Sequence, residues 1–222
     1  MYAKIIKRLI DIILSALGLF LLSWLFLIMA VAVVIDDPGP VFFKQKRVGI
    51  HKKYFKLHKF RSMKMSTPHD TPTHLLDNPD QYITRIGRFL RKSSLDELPQ
   101  IWDIFIGKMS IIGPRPALWN QEDLIAERDK YGANDVKPGL TGWAQINGRD
   151  ELEIPVKAAF DGEYVKNMSF AFDCRCFFGT IKSVLKHDGV VEGGTGSMND
   201  TRVSENDNDR EPVRVGDDSS QK

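Results

Sequence analysis

Cysteines and nucleotide-binding motifs are scarce in this chain of 222 residues. Two cysteines are too few for a secreted disulfide scaffold, and these two, Cys174 and Cys176, are too close in sequence for an easy bridge. Neither the G-x-x-x-x-G-K-[ST] pattern nor the dinucleotide G-x-G-x-x-G pattern occurs. ATP hydrolysis and NAD chemistry therefore have no sequence support. The length allows one domain, or a small domain with an anchor.

Charge is missing from one long segment near the N-terminus. Residues 12–35 hold no charged side chain over 24 positions, longer than the apolar part of a signal peptide and long enough for a membrane helix. We therefore expect a retained membrane-embedded helix over residues 1–36. A folded domain is predicted at 37–191, and a polar, disordered tail at 192–222, which has eight acidic and four basic residues.

Basic residues flank the apolar segment on both sides. They are Lys4, Lys7, Arg8, Lys44, Lys46 and Arg47. Positive charge favours the cytoplasmic side, so a straight spanning helix would export one basic flank. A re-entrant segment, which enters and leaves through the same leaflet, keeps both flanks inside. We expect re-entry, with an ordinary single span as the alternative. Asp11, one turn after Arg8, fits an interfacial position better than deep burial.

The remaining patterns predict an α+β domain that is mostly helical. Strand-forming residues on both sides of a glycine-containing turn predict a strongly basic β-hairpin over 41–62. Loops are predicted at 64–82 and 137–149, and helices within 82–105, 119–131 and two parts of 151–187. We expect His69 and His74 to be solvated loop residues. The last helix is amphipathic and is expected either in the membrane interface or on the domain core.

Two adjacent carboxylates, Asp96 and Glu97, occur in the stretch RKSSLDELPQ at 91–100. The pattern places them at the N-terminus of a helix, near Arg91. In that position they can hold a divalent cation, and an ionised aspartate can act as a nucleophile. The spacing alone leaves another interpretation open, in which Ser94 and Glu97 only form a capping box.

A single arginine, Arg115, lies between two prolines in the sequence GPRP at 113–116. The prolines restrict the backbone, and an arginine presented in this way suits bidentate phosphate binding. A surface turn is the alternative. Positive charge is concentrated beside the apolar segment and no nucleic-acid-reading motif accompanies it, so nucleic acid is not an expected partner.

Five motifs follow one another along the chain. They are DPGPVFFKQ (37–45), KFRSM (59–63), SLDELPQ (94–100), GPRP (113–116) and KPGLTGWAQINGR (137–149). With the apolar N-terminus they resemble the bacterial sugar transferases, the monotopic polyprenyl-phosphate phosphoglycosyl transferases. The resemblance runs from about Lys4 to Asp188 and fits the small members that consist of the catalytic core.

This resemblance implies that a sugar phosphate moves from a UDP-sugar to undecaprenyl phosphate, with release of UMP and with Mg²⁺ as cofactor. Such a reaction would be the first membrane step of a polysaccharide or glycoconjugate pathway. The resemblance also implies a catalytic domain on the cytoplasmic face of the bacterial inner membrane, in contact with membrane lipids. A homodimer is left open.

By motif, Asp96 would be the nucleophile that forms a covalent phosphosugar aspartate, and Glu97 would help Asp96 to bind Mg²⁺. The substrate-binding residues implied by the motifs are Lys59, Arg61, Arg91 and Arg115. These roles make physical sense, because attack of a carboxylate on a diphosphate requires neutralisation of the non-bridging oxygens.

One position departs from the family's pattern. Members usually carry a Ser-Pro pair midway through the membrane segment, where this chain has Ser23-Trp24. Without proline, a straight helix is spared a penalty of about 3 kcal/mol. The missing proline therefore favours a span, whereas the flanking charges favour re-entry. Re-entry, with a bend near Ser23-Trp24, remains our expectation.

Two other functions fit the same residues. A non-catalytic membrane adaptor would grip lipid headgroups with the basic hairpin and use the carboxylates only to cap a helix. A sugar-nucleotide hydrolase would use the same metal site with water as the acceptor. The donor sugar and the glycan pathway do not follow from the sequence.

Overall fold

The structure is a computed structural model that describes residues 2–67, 78–148 and 152–186. Its helices are α1 (Lys7–Leu21), α2 (Ser23–Asp36), α3 (Arg85–Lys92), α4 (Gln100–Phe105), α5 (Glu122–Asp129), α6 (Trp143–Ile146), α7 (Ile154–Lys166) and α8 (Phe170–Lys186). Its strands are β1 (Phe42–Val48), β2 (Tyr54–Phe60), β3 (Ser110–Ile112) and β4 (Gly139–Thr141). This mixture of helix and sheet is consistent with the α+β prediction. His69, His74 and the predicted tail at 192–222 lie outside the described residues.

The apolar N-terminal segment is a bent pair of helices. A π-helical turn, Tyr2–Ile6, leads into α1, and α1 and α2 meet at Leu22 with a bend of 61°. Ser23 Oγ donates to Phe20 O at 2.8 Å beside the bend. This carbonyl is the one that a proline at position 24 would leave without its intrahelical donor, and here the serine hydroxyl binds it. Within the described residues, no one helix has the length and apolar character to cross a membrane, whereas the bent pair together has both.

A polar stripe on α1 is buried against the rest of the molecule. Lys7, Asp11 and Ser15 recur every four residues and are buried, as expected for one face of a helix. Asp11 Oδ1 accepts from Ser110 Oγ at 3.1 Å and from Ile111 N at 3.0 Å. The apolar residues left exposed on α1 include Leu9, Ile13, Leu14, Leu17 and Phe20. Asp11 therefore attaches the polar face of α1 to β3, while the apolar face of this amphipathic helix is left exposed.

Both ends of the bent pair are fixed to the domain that follows it. At the beginning, Lys7 Nζ lies 2.6 Å from Asp173 Oδ2 on α8. At the end, Asp36 Oδ2 accepts from Ile86 N at 2.8 Å, and Asp37 pairs with Arg61. The segment thus leaves the domain and returns to it.

The predicted basic hairpin at 41–62 is confirmed. Strands β1 and β2 pair antiparallel from Phe42 opposite Phe60 to Val48 opposite Tyr54. A short 3₁₀ turn at Ile50–Lys52 joins them. Phe60, at the base of the hairpin and opposite its turn, is buried in an apolar cluster with Val33 of α2. This packing ties the base of the hairpin to the bent helices.

The loop predicted at 137–149 is wrong in part, because it contains β4 and α6. Ser110 pairs with Gly139 and Ile112 with Thr141 in a short parallel ladder. A side chain on Gly139 would lie 2.1 Å from Gly113 N, so glycine is required where these backbones meet. Strands of three residues are too short to show a hydrophobic alternation, which is why the sequence pattern missed them.

The helical pattern predicted from residue 82 to 105 is interrupted. Helix α3 ends at Lys92, and Ser94 adopts a left-handed conformation with φ of 56°. A 3₁₀ turn, Leu95–Glu97, then leads into α4. The apolar spacing continued through this break, so it could not reveal the kink.

The C-terminal pair of helices is confirmed, with the division at residues 167–169. One face of α8 packs on the domain core, where Cys176 is buried and Phe172 contacts the same cluster. The opposite face leaves Phe170, Phe177 and Phe178 exposed. Packing of α8 on the domain core is therefore confirmed, whereas its position in a membrane interface stays a prediction.

Candidate active site

Asp96 and Glu97 lie together in the 3₁₀ turn Leu95–Glu97. Their prediction at the first turn of a regular helix is wrong in detail, since α4 begins only at Gln100, after Pro99. The left-handed conformation of Ser94 turns the chain before them. The two carboxylates therefore sit on a tight corner between α3 and α4, facing β2 and the loop after β3.

The capping-box interpretation is not supported by the geometry. The Ser94 side chain makes no cap hydrogen bond. The Glu97 carboxylate accepts from two cationic side chains, because Lys59 Nζ lies 2.9 Å and Arg115 Nη2 lies 2.8 Å from Oε1. Glu97 is thus committed to the site and does not close the helix end.

The two cations decide the charge state of Glu97. Burial alone would raise its pKa, but Arg115 and then Lys59 outweigh this effect, so the pKa of Glu97 lies well below its usual range. Glu97 is therefore an anion at all physiological pH values. It holds Lys59 on β2 and Arg115 on the loop after β3 in fixed positions beside Asp96.

Asp96 has a different environment from its neighbour. Burial raises the pKa of Asp96, Lys59 opposes that shift, and the negative charge of Glu97 adds to it. Lys59 Nζ lies 3.9 Å from Asp96 Oδ2, beyond hydrogen-bond distance. A buried carboxylate with a raised pKa is poorly stabilised as an anion, which makes it a better nucleophile once it is ionised.

Arg91 reaches the site from α3, and its position depends on a close backbone contact. Arg91 Nε donates to Ser62 Oγ at 2.9 Å. Helix α3 approaches the chain so closely that a side chain on Gly87 would lie 1.9 Å from Ser62 O. Ser62 was not singled out from the sequence, although it belongs to the motif KFRSM. The charge of Arg91 acts on Asp96 by lowering its pKa.

Arg61, which is predicted to bind substrate, is paired with Asp37 and not with the carboxylates of the site. Its guanidinium is buried and binds both the carboxylate and the carbonyl of Asp37. Asp37 also accepts from Met65 N at 2.9 Å. In this arrangement Arg61 braces the junction between α2 and the hairpin. Its assignment to the substrate stays a prediction.

Another buried pair that the sequence did not indicate fixes the strand that carries Lys59. Asp103 on α4 is fully buried, and its carboxylate accepts from His58 N at 2.9 Å and contacts His58 Nδ1 at 2.9 Å. These contacts attach α4 to β2 one residue before Lys59. No motif pointed to this pair, because its members are 45 positions apart.

Asp96 and Glu97 are the carboxylates of this site that could hold Mg²⁺. Across residues 2–67, 78–148 and 152–186, no three His, Cys, Asp or Glu side chains come together as a ready-made metal site. Mg²⁺ commonly uses one or two carboxylates and completes its shell with water and substrate phosphates. Asp96 and Glu97 can supply that pair. Because Glu97 already faces two cations, the residues fit Mg²⁺ that arrives with a diphosphate better than Mg²⁺ alone.

The charges of the site favour a polyanionic ligand. Lys59, Arg91 and Arg115 bring three positive charges to the two carboxylates. A family model described as bacterial sugar transferase matches residues 2–187. The chain belongs to the bacterial sugar transferase family.

Several members of the bacterial sugar transferase family are similar over most of this chain. The "Uncharacterized sugar transferase EpsL" of Bacillus subtilis (strain 168) is 40% identical over 190 residues, covering 85% of this chain and 91% of that protein. The UDP-glucose:undecaprenyl-phosphate glucose-1-phosphate transferase of Escherichia coli (strain K12) is 42% identical over 185 residues, covering 80% of this chain and 40% of that protein.

A third relative carries the name of a different sugar. The UDP-N-acetylgalactosamine-undecaprenyl-phosphate N-acetylgalactosaminephosphotransferase of Aeromonas hydrophila is 36% identical over 193 residues, covering 83% of this chain and 45% of that protein. The chain thus spans less than half the length of the two relatives whose names state a reaction.

Proposed function

We propose that this protein transfers a sugar 1-phosphate from a UDP-sugar to undecaprenyl phosphate and releases UMP. The observation that carries the proposal is the pair Asp96–Glu97, buried between three cationic side chains in a member of the bacterial sugar transferase family. The relatives named for this reaction support it. The reaction would be the first membrane step of a bacterial polysaccharide or glycoconjugate pathway.

In the proposed mechanism, a carboxylate oxygen of Asp96 attacks the phosphorus that carries the sugar. A phosphorus–oxygen bond forms to Asp96, and the bond to the UMP oxygen breaks, so UMP leaves with the electron pair. An oxygen of undecaprenyl phosphate then attacks the same phosphorus, and Asp96 is released as a carboxylate. The aspartate is thus both nucleophile and leaving group.

The cationic side chains stabilise the charge that develops during both displacements. Arg115 and Lys59, held by Glu97 at 2.8 and 2.9 Å, can contact the non-bridging oxygens of the diphosphate, and Arg91 adds a third charge. Mg²⁺, held by Asp96, Glu97 and phosphate oxygens, would supply further neutralisation when bound. Glu97 therefore has two roles, as an anchor for the cations and as a metal ligand.

We also propose that the bent helices form a re-entrant anchor in the bacterial inner membrane, with the catalytic domain on the cytoplasmic face. Two observations support this topology. Lys7 and Asp36, near the two ends of the segment, both bind the same domain. The exposed apolar surface of α1 and the aromatic face of α8 are available for membrane lipids. A homodimer stays a prediction.

The experiment is a transfer assay with detergent- or nanodisc-held protein, undecaprenyl phosphate, Mg²⁺ and radiolabelled UDP-glucose, UDP-galactose or UDP-N-acetylgalactosamine. We expect a lipid-linked sugar product from at least one donor, together with UMP. Product without the acceptor lipid, as free sugar phosphate, would point to the hydrolase alternative. Absence of any product would leave the adaptor alternative.

Asp96→Asn tests the covalent step. The variant should have background activity and should lack the phosphosugar adduct that intact-mass spectrometry detects on the wild type. We expect little loss of stability, because burial raises the pKa of Asp96 and the ionised carboxylate costs free energy in the fold. Substantial turnover by Asp96→Asn would overturn the covalent mechanism while leaving the overall reaction possible.

A further inference from the structure

The loop that carries Arg115 has few ways to hold itself in place. Pro114 and Pro116 have no N–H to donate, so beside the hydrogen bond from Gly113 N to Thr141 O at 2.8 Å this loop, residues 113–116, is held through its carbonyl groups. Pro114 O accepts from Gly139 N at 2.9 Å, and Pro116 O accepts from Arg47 Nη1 at 2.9 Å. Between them, Arg115 O accepts from Arg128 Nη1 at 3.0 Å. Three consecutive carbonyls are thus fixed by donors from three different parts of the chain.

Arg128 is itself held rigidly. It lies on α5 and is almost completely buried, as is its partner Asp161 on α7. Arg128 Nε donates to Asp161 Oδ2 at 2.8 Å, and Nη2 lies 2.6 Å from the same oxygen. One side of the planar guanidinium is therefore bound to Asp161, and the other side points at the carbonyl of Arg115.

This buried pair is a costly way to join two helices. Burial raises the pKa of Asp161, and Arg128 only partly opposes the shift. Buried ion pairs can often be replaced by apolar side chains without loss of stability. An apolar pair would still pack α5 on α7, but it could not donate to Arg115 O. The hydrogen bond to that carbonyl is what distinguishes the charged pair from an apolar one.

We propose that Arg128, oriented by Asp161, is a positioning residue that holds the backbone of Arg115 so that the Arg115 guanidinium meets Glu97 and the phosphate of the substrate. The inference rests on the proposed function. Arg128 is almost completely buried, and its guanidinium is bound to Asp161 and to Arg115 O. Its effect reaches the reaction only through the carbonyl of Arg115, and small displacements of such a group can cost up to about 100-fold in rate.

The test is a thermodynamic cycle between a change of the buried pair, Arg128→Met/Asp161→Leu, and Arg115→Lys. The double variant Arg128→Met/Asp161→Leu removes the pair without leaving a buried charge, so its thermal unfolding should stay close to that of the wild type. We expect kcat for transfer to fall at least tenfold and the Kd for UDP, measured by calorimetry, to rise. In an Arg115→Lys background the same double change should reduce kcat less than twofold further, since the residue it positions is already altered.

A matched control lies on the same helix. Glu127, which is partly buried, and the exposed Lys130 form an ion pair at the C-terminal end of α5, with Nζ 2.6 Å from Oε2. Changing both to Gln should leave kcat, the Kd for UDP and thermal unfolding unchanged. Arg128→Lys keeps the charge for Asp161 but lacks the fork, and should retain stability while losing most of the activity.

The outcomes separate the inference from the function on which it rests. Wild-type transfer with independent, multiplicative effects of the double change and Arg115→Lys would overturn the positioning role alone. Unchanged activity of a folded Arg128→Met/Asp161→Leu protein would also overturn it. Suppose that the wild type makes no product but binds UDP, and that the effects of the double change and of Arg115→Lys on the Kd for UDP are not additive. The positioning role then stands and the proposed reaction fails. If the wild type neither makes product nor binds UDP, both the reaction and the positioning role are overturned.

Discussion

The two neighbouring carboxylates show how environment separates residues of the same chemistry. Glu97 is paired with Arg115 and Lys59, which hold its pKa below the usual range, whereas burial raises the pKa of Asp96. The permanent anion suits an anchoring role and the less stabilised one suits a nucleophile. Such a division within one dipeptide could not be deduced from the sequence, because it depends on which cations the fold delivers to each oxygen.

At the same scale, Arg115→Lys tests the value of the guanidinium fork. Lysine keeps the charge but cannot bridge Glu97 and a phosphate in the same plane. We expect kcat/KM to fall by a factor that corresponds to about 1–3 kcal/mol, with little change in unfolding. Steady-state kinetics measures the effect. Lys52→Arg, in an exposed pair with Asp129, is the control and should behave as wild type. Equal kinetics for both variants would make Arg115 a structural residue.

At the scale of elements, the close approach of α3 to the chain after β2 gives a prediction at Gly87. An added methyl group would lie 1.9 Å from Ser62 O, so Gly87→Ala must push the two backbones apart. We expect a loss of about 1–3 kcal/mol in stability and reduced transfer, because Arg91 loses its contact with Ser62. Thermal unfolding and the transfer assay measure the two effects.

Gly18→Ala is the matched control for that change. Gly18 lies inside α1, and an added methyl group would meet Ile101 at 3.6 Å, an ordinary contact. Alanine is also the better helix former there. Stability equal to or above that of the wild type is expected. If both alanine variants behaved alike, the close contact at Gly87 would not be limiting.

The bend between α1 and α2 gives a second prediction for an element. Trp24 is the second residue of α2. Proline is tolerated there because the N–H groups of a helix's first turn have no intrahelical acceptors to lose. Trp24→Pro should therefore keep activity at or above the wild-type level. Leu27→Pro, one turn later, should lower stability by about 3 kcal/mol. A comparable loss in both variants would indicate a continuous helix in the membrane.

The elements differ in how far the sequence could predict them. The hairpin and the division between α7 and α8 were predictable, because both have enough residues to show a period and a turn signal. The ladder between β3 and β4 and the kink at Ser94 were not, because each involves very few residues. Arg128 and Ser62 were missed for another reason. Their contacts with Arg115 and Arg91 join distant parts of the chain, which no spacing reveals.

For the whole molecule, the topology can be tested with single cysteines. In a background in which Cys174 and Cys176 are replaced by alanine, Ala3→Cys places a thiol at an exposed position before α1. Because Lys7 binds Asp173 in the catalytic domain, we expect this thiol to be protected from a membrane-impermeant reagent in intact cells and labelled after lysis.

Lys53→Cys, exposed in the hairpin turn, is the reference for the side on which the catalytic domain lies. It should show the same protection and the same labelling as Ala3→Cys. Labelling of Ala3→Cys in intact cells, with Lys53→Cys still protected, would show that the chain crosses the membrane. Transfer activity of both variants should be measured first, so that only folded protein is compared.

The pairing of Lys7 with Asp173 also has a consequence for biosynthesis. The two residues are 166 positions apart, and at the usual elongation speed of about 5–20 residues per second the partner is synthesised about 8–33 seconds after the lysine. Asp11 is synthesised 99 positions before its partner Ser110. During that interval Lys7 and Asp11 lack the partners on later segments that they have in the folded protein. Under the proposed re-entrant topology, an N-terminus on the far side of the bilayer could not reach Asp173 or Ser110, so the domain stabilises this arrangement only after it has been synthesised.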